Sequence, residues 1–390
     1  MVSIPPAKST QGYSTTEMLL DYNPACIISS MDCKLLPVQC LLVTILLSCT
    51  SQSPQSPLQT TFYVFRFEPP ELVEFSSDFQ PIREIPFSIP SNCGLLGLFP
   101  APVGEFIAVE LNCPNGQTVL FLNAETASVP QPVINTDSHF LAWTPDGKAA
   151  YLKVDSLGDA RVVRAYADGS QDFIPITEFT YDLAPSADEG EFAFTFSRGL
   201  GQGSELWLAK QDGRIVQQLY ADQFNYISFA RWSPDGRQIA FINIPDTQTP
   251  FTVGELWVIP STSAQGADAS NARKLADADA GHGYAADWSP DGKKIAFVLR
   301  ENPEDENADQ LSEALISNIY TVEVESVKLN QVTKFDNARV EAPFWSPDGN
   351  TLAFTIVLNG RMQVQIADTL TGETRSLLAE STCCPAWLRK

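Results

Sequence analysis

From about residue 60 onward, apolar and polar positions alternate in short runs broken by Pro, Gly, Asp and Ser. KAAYLKV (148–154), RQIAFINI (237–244), KKIAFVLR (293–300) and NTLAFTIV (350–357) are the clearest. Runs of this length bounded by turn residues read as β-strands. Each follows the same pentapeptide: Trp143-Thr-Pro-Asp-Gly147, Trp232-Ser-Pro-Asp-Gly236, Trp288-Ser-Pro-Asp-Gly292 and Trp345-Ser-Pro-Asp-Gly349. Two worn copies fill the gaps. Leu183-Ala-Pro185 leads through Gly190 into EFAFTF, and Pro100-Ala-Pro102-Val-Gly104 leads into EFIAVEL. A signature that returns before an apolar strand each time is an internal repeat.

The pentapeptide carries turn chemistry. Pro suits position i+1 of a type I turn, Gly suits i+3, and the Asp carboxylate accepts backbone N–H groups within the turn. These aspartates therefore read as structural, and the Trp as a packing face. A second strand pair follows each motif, joined by Asp168-Gly169, Asp212-Gly213 or Thr371-Gly372. The unit is strand A, turn, strand B, loop, strand C, turn, strand D. Four antiparallel strands per roughly 40–50 residues make a β-propeller blade. Cys383-Cys384-Pro385-Ala386-Trp387 matches the start of a unit (compare Ala342-Pro343-Phe344-Trp345), whereas Thr60–Phe67 reads as a B strand and Glu71–Ile85 as a C–D pair. The last A strand can therefore complete the first blade. The expectation is an all-β, seven-bladed propeller over 61–390, or six blades if the N-terminal strands pair differently.

The WSPDG–strand–hairpin unit resembles the TolB-like (WD-related) β-propeller repeat across nearly all of 61–390. The resemblance implies the fold and leaves the role open, because such propellers host many functions. TolB carries a separate α/β domain before its propeller, and only the short 49–60 segment stands in that place here. Prolyl-oligopeptidase-like peptidases pair similar propellers with an α/β-hydrolase domain. No Gly-x-Ser-x-Gly nucleophile elbow occurs in this chain.

Residues 1–30 are Ser/Thr/Pro-rich. Met31-Asp-Cys-Lys34 then leads into an apolar run from Leu35 to Leu47. That run falls short of the roughly 20 residues that cross a bilayer and fits the apolar region of a signal peptide. Leu46-Leu47-Ser48-Cys49 resembles the lipobox of bacterial lipoproteins, which implies cleavage before Cys49 and a diacylglyceryl group on its sulfur. Residues 1–48 then form a signal region, with Met31 the expected translation start, and the Ser/Pro-rich stretch 49–60 a polar tether.

Charge narrows the function. With 47 Asp+Glu against 25 Lys+Arg the net charge is −22, which disfavours nucleic acid and electrostatic adhesion to anionic lipid. At 44% hydrophobic the chain is too apolar for a disordered acidic tail. Of eight Cys, three (26, 33 and 40) leave with the signal and Cys49 takes lipid. Cys93 and Cys113 flank one A–B hairpin, with Val103 midway in its turn, so a disulfide between them is expected, as suits an oxidising envelope compartment. Cys383 and Cys384 form a vicinal disulfide or remain thiols. No zinc-ligand spacing is present.

Loop length locates the functional face. The A–B turns are tight, whereas long insertions fall between strands B and C, at 244–254 and 300–317, and long polar segments between D and A, such as 276–284. Candidate ligand-face residues are His139, Tyr181, Asp182, Tyr226, His282, Tyr284, Arg339 and Glu341. The acidic loop 301–309 lacks EF-hand spacing and reads as solvated rather than as a Ca²⁺ site. Gly199-Leu-Gly201-Gln-Gly203 lies between strands, with no helix to hold a pyrophosphate. No catalytic pair, metal cluster or cofactor loop is named. A monomeric, non-catalytic envelope protein binding a protein or glycan partner is expected, attached to the membrane through the lipid alone. The alternative is a glycan lyase, or a hydrolase of glycan or peptide, using His139 or His282 with carboxylates at the channel mouth.

Overall fold

In the computed structural model the described residues are 60–389, without 91, 127–130, 133–136, 157–158, 189, 200, 248, 262–270 and 280–284. Gln55–Lys390 form one compact unit, and Met1–Pro54 lie outside the described residues. The proposed lipidation site Cys49 falls outside them too.

Seven four-stranded antiparallel sheets form a ring. Blade one holds Thr60–Phe67, Pro70–Phe75 and Pro81–Pro86, and its inner strand is the last of the chain, Thr382–Arg389. Thr60 pairs with Arg389 and Phe62 with Trp387, so the ring closes as the repeat register requires. The remaining inner strands, in order from blade two to blade seven, are Gly94–Pro100, Asp137–Trp143, Thr180–Pro185, Asn225–Trp232, Asp287–Trp288 and Arg339–Trp345. The polar stretch placed between blades five and six begins later than the sequence suggests. Ala276–Asp279 belong to the outer strand Arg273–Asp279, paired with Val253–Pro260. Alternating Ala and Asp there pair through the backbone, which polar composition does not prevent.

The second strands explain the sequence pattern. Gln238–Pro245 and Thr351–Leu358 each carry five consecutive buried residues, because adjacent blades cover both faces of the sheet. The motif turns close on themselves. In blade five the Ser233 hydroxyl donates to Asp235 Oδ1 at 2.6 Å and accepts the Gln238 N–H at 3.0 Å, while Asp235 Oδ1 accepts the Arg237 N–H at 3.1 Å. Gly236 sits at φ 69°, where a side chain would strain the backbone.

The motif tryptophans do more than pack. Each donates its indole N–H to an inner-strand carbonyl of the preceding blade: Trp143 to Phe99 at 2.7 Å, Trp232 to Ala184 at 2.8 Å, Trp288 to Arg231 at 3.0 Å and Trp345 to Asp287 at 3.1 Å. Hydroxyls also bridge neighbouring blades, including the gap between blades seven and one. Ser204 and Ser317 accept the N–H groups of Ile227 and Val340 in the following blade. Ser138 and Thr382 accept those of Val119 and Val364 in the preceding one. Each such bond contributes about 1 kcal/mol, and repetition around the ring sets blade against blade.

Candidate functional site in the central channel

Six of the seven inner strands break register midway. The irregularities lie at Leu95/Gly97, Phe140/Ala142, Thr180/Asp182, Ser228/Arg231 and Glu341/Phe344, and opposite Tyr63/Phe65 in the closing strand. A bulge re-aims side chains, and here it turns residues toward the ring axis. In three blades the residue three before the motif Trp adopts a left-handed conformation: Phe229 at φ 59°, Ala342 at 47° and Cys384 at 62°.

Around the axis these strands enclose a cavity of about 480 Å³, to which all seven blades contribute. One wall is apolar, with Leu98, Phe99, Phe140 and Phe344 beside the Cys383–Cys384 pair and Met362. Phe99 and Phe140 stack with centroids 4.4 Å apart and planes at 11°. The other wall is charged, with Asp182, Arg231, Asp287 and Glu341. Toward the motif turns a second, more apolar recess of about 600 Å³ lies among Trp143, Pro145, Pro185, Trp232 and Pro234.

Each carboxylate of the polar wall already has a partner. Asp182 Oδ2 accepts the Ala230 N–H at 2.7 Å and its Oδ1 lies 3.9 Å from Arg231 Nη1. Burial nonetheless raises the Asp182 pKa, against the opposing pull of Arg231. Asp287 Oδ2 accepts the Trp345 N–H at 2.8 Å. Glu341 Oε1 accepts from Arg339 Nε at 2.8 Å and Nη2 at 2.6 Å. The Arg339 guanidinium also donates to the Ser312 carbonyl at 3.1 Å, tying the long loop 301–316 to the cavity rim. Tyr181 donates its hydroxyl to the Ile227 carbonyl at 2.5 Å, and burial holds its pKa well above the ordinary value.

Of the residues singled out in the sequence, Tyr181, Asp182 and Glu341 line the cavity and Arg339 supports it. Tyr226 sits near the start of its inner strand, outside the lining. His282 and Tyr284 lie outside the described residues. His139 is part-exposed and outside the lining, its Nδ1 3.7 Å from Glu110 Oε1 in the preceding blade. Burial pushes the Glu110 carboxyl up to about 7, the Phe140 N–H pulling the other way. Arg231, Asp287, Phe99 and Phe140 escape a search for conspicuous loop residues. They lie inside strands, and one available signal is their position within a few residues of the motif Trp, or of the Pro that replaces it.

Cys93 and Cys113 are disulfide-bonded across the blade-two hairpin, with Cα atoms 4.2 Å apart, and Cys383 is bonded to Cys384. The acidic loop is held by side chains from the strands of blade six. Glu301 Oε1 accepts from Asn318, Tyr320 and Gln331, and Asp309 pairs with Arg300 at 2.8 Å. Among the described residues no group of three or more His, Cys, Asp and Glu is placed to hold a metal ion.

A closed ring of seven four-stranded blades with WSPDG turns on one face defines the TolB class of β-propeller. Residues 191–385 match the TolB beta propeller domain, and the chain belongs to that family. No curated protein sequence matches it. Among solved structures, a puromycin-hydrolyzing peptidase of Mycobacterium tuberculosis is 15% identical with a TM-score of 0.54, the match covering 79% of this chain and 49% of that one. An oligogalacturonate lyase in complex with manganese is 14% identical with a TM-score of 0.53, covering 82% and 84%. TolB of Acinetobacter baumannii is 17% identical with a TM-score of 0.46, covering 82% and 78%. At these identities the likeness is one of fold.

Proposed function

We propose that this protein is a non-catalytic, lipid-anchored propeller of the bacterial cell envelope that holds a protein or glycan partner at the mouth of its central channel. The observation that carries this reading is the cavity wall. Asp182, Asp287 and Glu341 each hold a backbone N–H or an arginine, so their charge maintains the shape of a site. Opposite them, part-exposed Phe344 and the Phe99–Phe140 stack offer apolar contact. The signal-like segment ending at Cys49 and the family membership support an envelope location.

A photo-crosslinking residue at Phe344 should capture a defined partner from native membranes, while the same residue at Phe173, exposed on an outer strand, should not. Identical adducts from both positions would sink the channel-mouth reading. The anchor is tested separately: an intact tryptic peptide spanning 35–66 in the native protein would rule out lipidation at Cys49.

One observation favours the enzymatic alternative. The Glu110 carboxyl, near neutral in pKa and 3.7 Å from His139, has the makings of an acid–base pair, and two of the similar structures are a puromycin-hydrolyzing peptidase and an oligogalacturonate lyase. Turnover of glycan or peptide oligomers abolished by His139→Ala would establish that reading over the first.

A further inference from the structure

The inner-strand bulge occurs with three different residues at the same step. Phe229 and Ala342 take it without any sulfur, at φ 59° and 47°, and Cys384 takes it at 62°. Blades five and seven thus show that the backbone does not need a disulfide to turn there. The Cys383–Cys384 bond is therefore not explained by the fold it sits in. Its position adds to this. Both cysteines line the central cavity, with Met362 alongside. Cys383 is 2% exposed, whereas Cys384 is part-exposed. The other disulfide, Cys93–Cys113, bridges neighbouring strands and does not line that cavity.

We propose that Cys383–Cys384 is a redox-active pair that exchanges with low-molecular-weight thiols entering the central cavity. A thiolate RS⁻ attacks the accessible Cys384 Sγ, forming an R–S–Sγ bond as the Cys384–Cys383 bond breaks. Cys383 leaves with the electron pair and takes a proton. A second RS⁻ attacks the sulfur of R in the mixed disulfide, releasing RSSR and the Cys384 thiolate, which is then protonated. Two RSH are oxidised to RSSR and one protein disulfide is reduced to two thiols, and the reverse sequence re-forms it. Reduction replaces a closed ring in the wall with two separate thiols and so alters the surface that a bound partner meets.

The purified full chain is equilibrated with graded ratios of reduced to oxidised glutathione, alkylated without denaturation, and digested. Trypsin releases Cys383 and Cys384 together in peptide 376–389, apart from Cys93 and Cys113. The expected result is half-reduction of Cys383–Cys384 at a ratio at least about tenfold less reducing than Cys93–Cys113 requires, a separation of about 30 mV. Cys383→Ala is expected to carry a glutathione adduct on Cys384 in the folded state. The double variant Cys383→Ala/Cys384→Ala should melt cooperatively near wild type, since alanine occupies the same step at Ala342. Alkylation of Cys384 only after denaturation, no adduct on Cys384, or a double variant that fails to fold would each overturn the proposal by making the bond a structural one.

Discussion

Asp287 and Trp345 are joined by two hydrogen bonds across the boundary between blades six and seven. The Asp287 carboxylate accepts the Trp345 backbone N–H at 2.8 Å, and the Asp287 carbonyl accepts its indole N–H at 3.1 Å. The motif tryptophan is thus an inter-blade rivet as well as a packing face, and this makes a measurable distinction among the tryptophans.

Replacing Trp232 by Phe keeps an aromatic ring but removes the donor to Ala184, leaving that carbonyl short of a partner. The expected loss is about 1–2 kcal/mol in urea unfolding. Trp387, in the closing strand, packs against Phe62 with centroids 4.4 Å apart, and its buried indole nitrogen has no hydrogen-bond partner among the described residues. Trp387→Phe is expected to cost less than Trp232→Phe; equal losses would refute the rivet.

Glu110 gives the stability profile an unusual slope. Its folded pKa, about 7, lies above its ordinary value of 4.5. Between those values the folded state holds the proton that the unfolded state releases, so this group's contribution falls as pH rises through the window. Glu110→Gln should match wild type near pH 5 and exceed it by about 1–3 kcal/mol at pH 8. Parallel wild-type and variant curves would show that the carboxyl is already ionised.

The turn aspartates act in the opposite sense. Hydroxyls of Ser186, Ser233 and Ser289 hold Asp188, Asp235 and Asp291 below the usual carboxylate range. Their contribution is complete above the unfolded pKa of about 4 and is lost as pH falls through the depressed folded values. The combined Asn variants should flatten the acid limb of the stability profile. An unchanged acid limb would mean that other carboxylates govern acid unfolding.

Arg300 is fully buried between Asp279, at 3.3 Å, and Asp309, at 2.8 Å. It joins the outer edge of blade five to the root of the acidic loop. Arg300→Met leaves Asp279 buried without this cation and is expected to cost about 3–5 kcal/mol. Limited proteolysis should find new cleavage within 301–316 in the variant. If only global stability falls and the loop stays protected, Arg300 does not anchor the loop.

The WSPDG repeat, its strand spacing and the matching of 383–387 to 342–345 make the blade number and the closure legible, because local turn chemistry and period-two burial are written residue by residue. The cavity is less legible. Bulges at Phe229, Ala342 and Cys384 arise from strands converging on an axis, and no local propensity marks them. Tyr181, Asp182 and Glu341 are legible from their place near loops, whereas Asp287 and Phe140 are not, because their roles depend on which neighbouring blade faces them. The tryptophans are visible as motif residues, yet their indole partners sit some 44 to 58 residues earlier, in another repeat.

The closing strand also imposes an order of events. Thr382–Arg389 supplies the inner strand of blade one, so that blade stays incomplete until the other six have been synthesised. Long-range pairing of this kind is slow to form, because a large loop must close before any contact rewards it. Until then the edge strand Thr60–Phe67 is open to pairing with other chains. Folding therefore finishes late, and the newly made chain is most exposed to aggregation just before its last strand arrives.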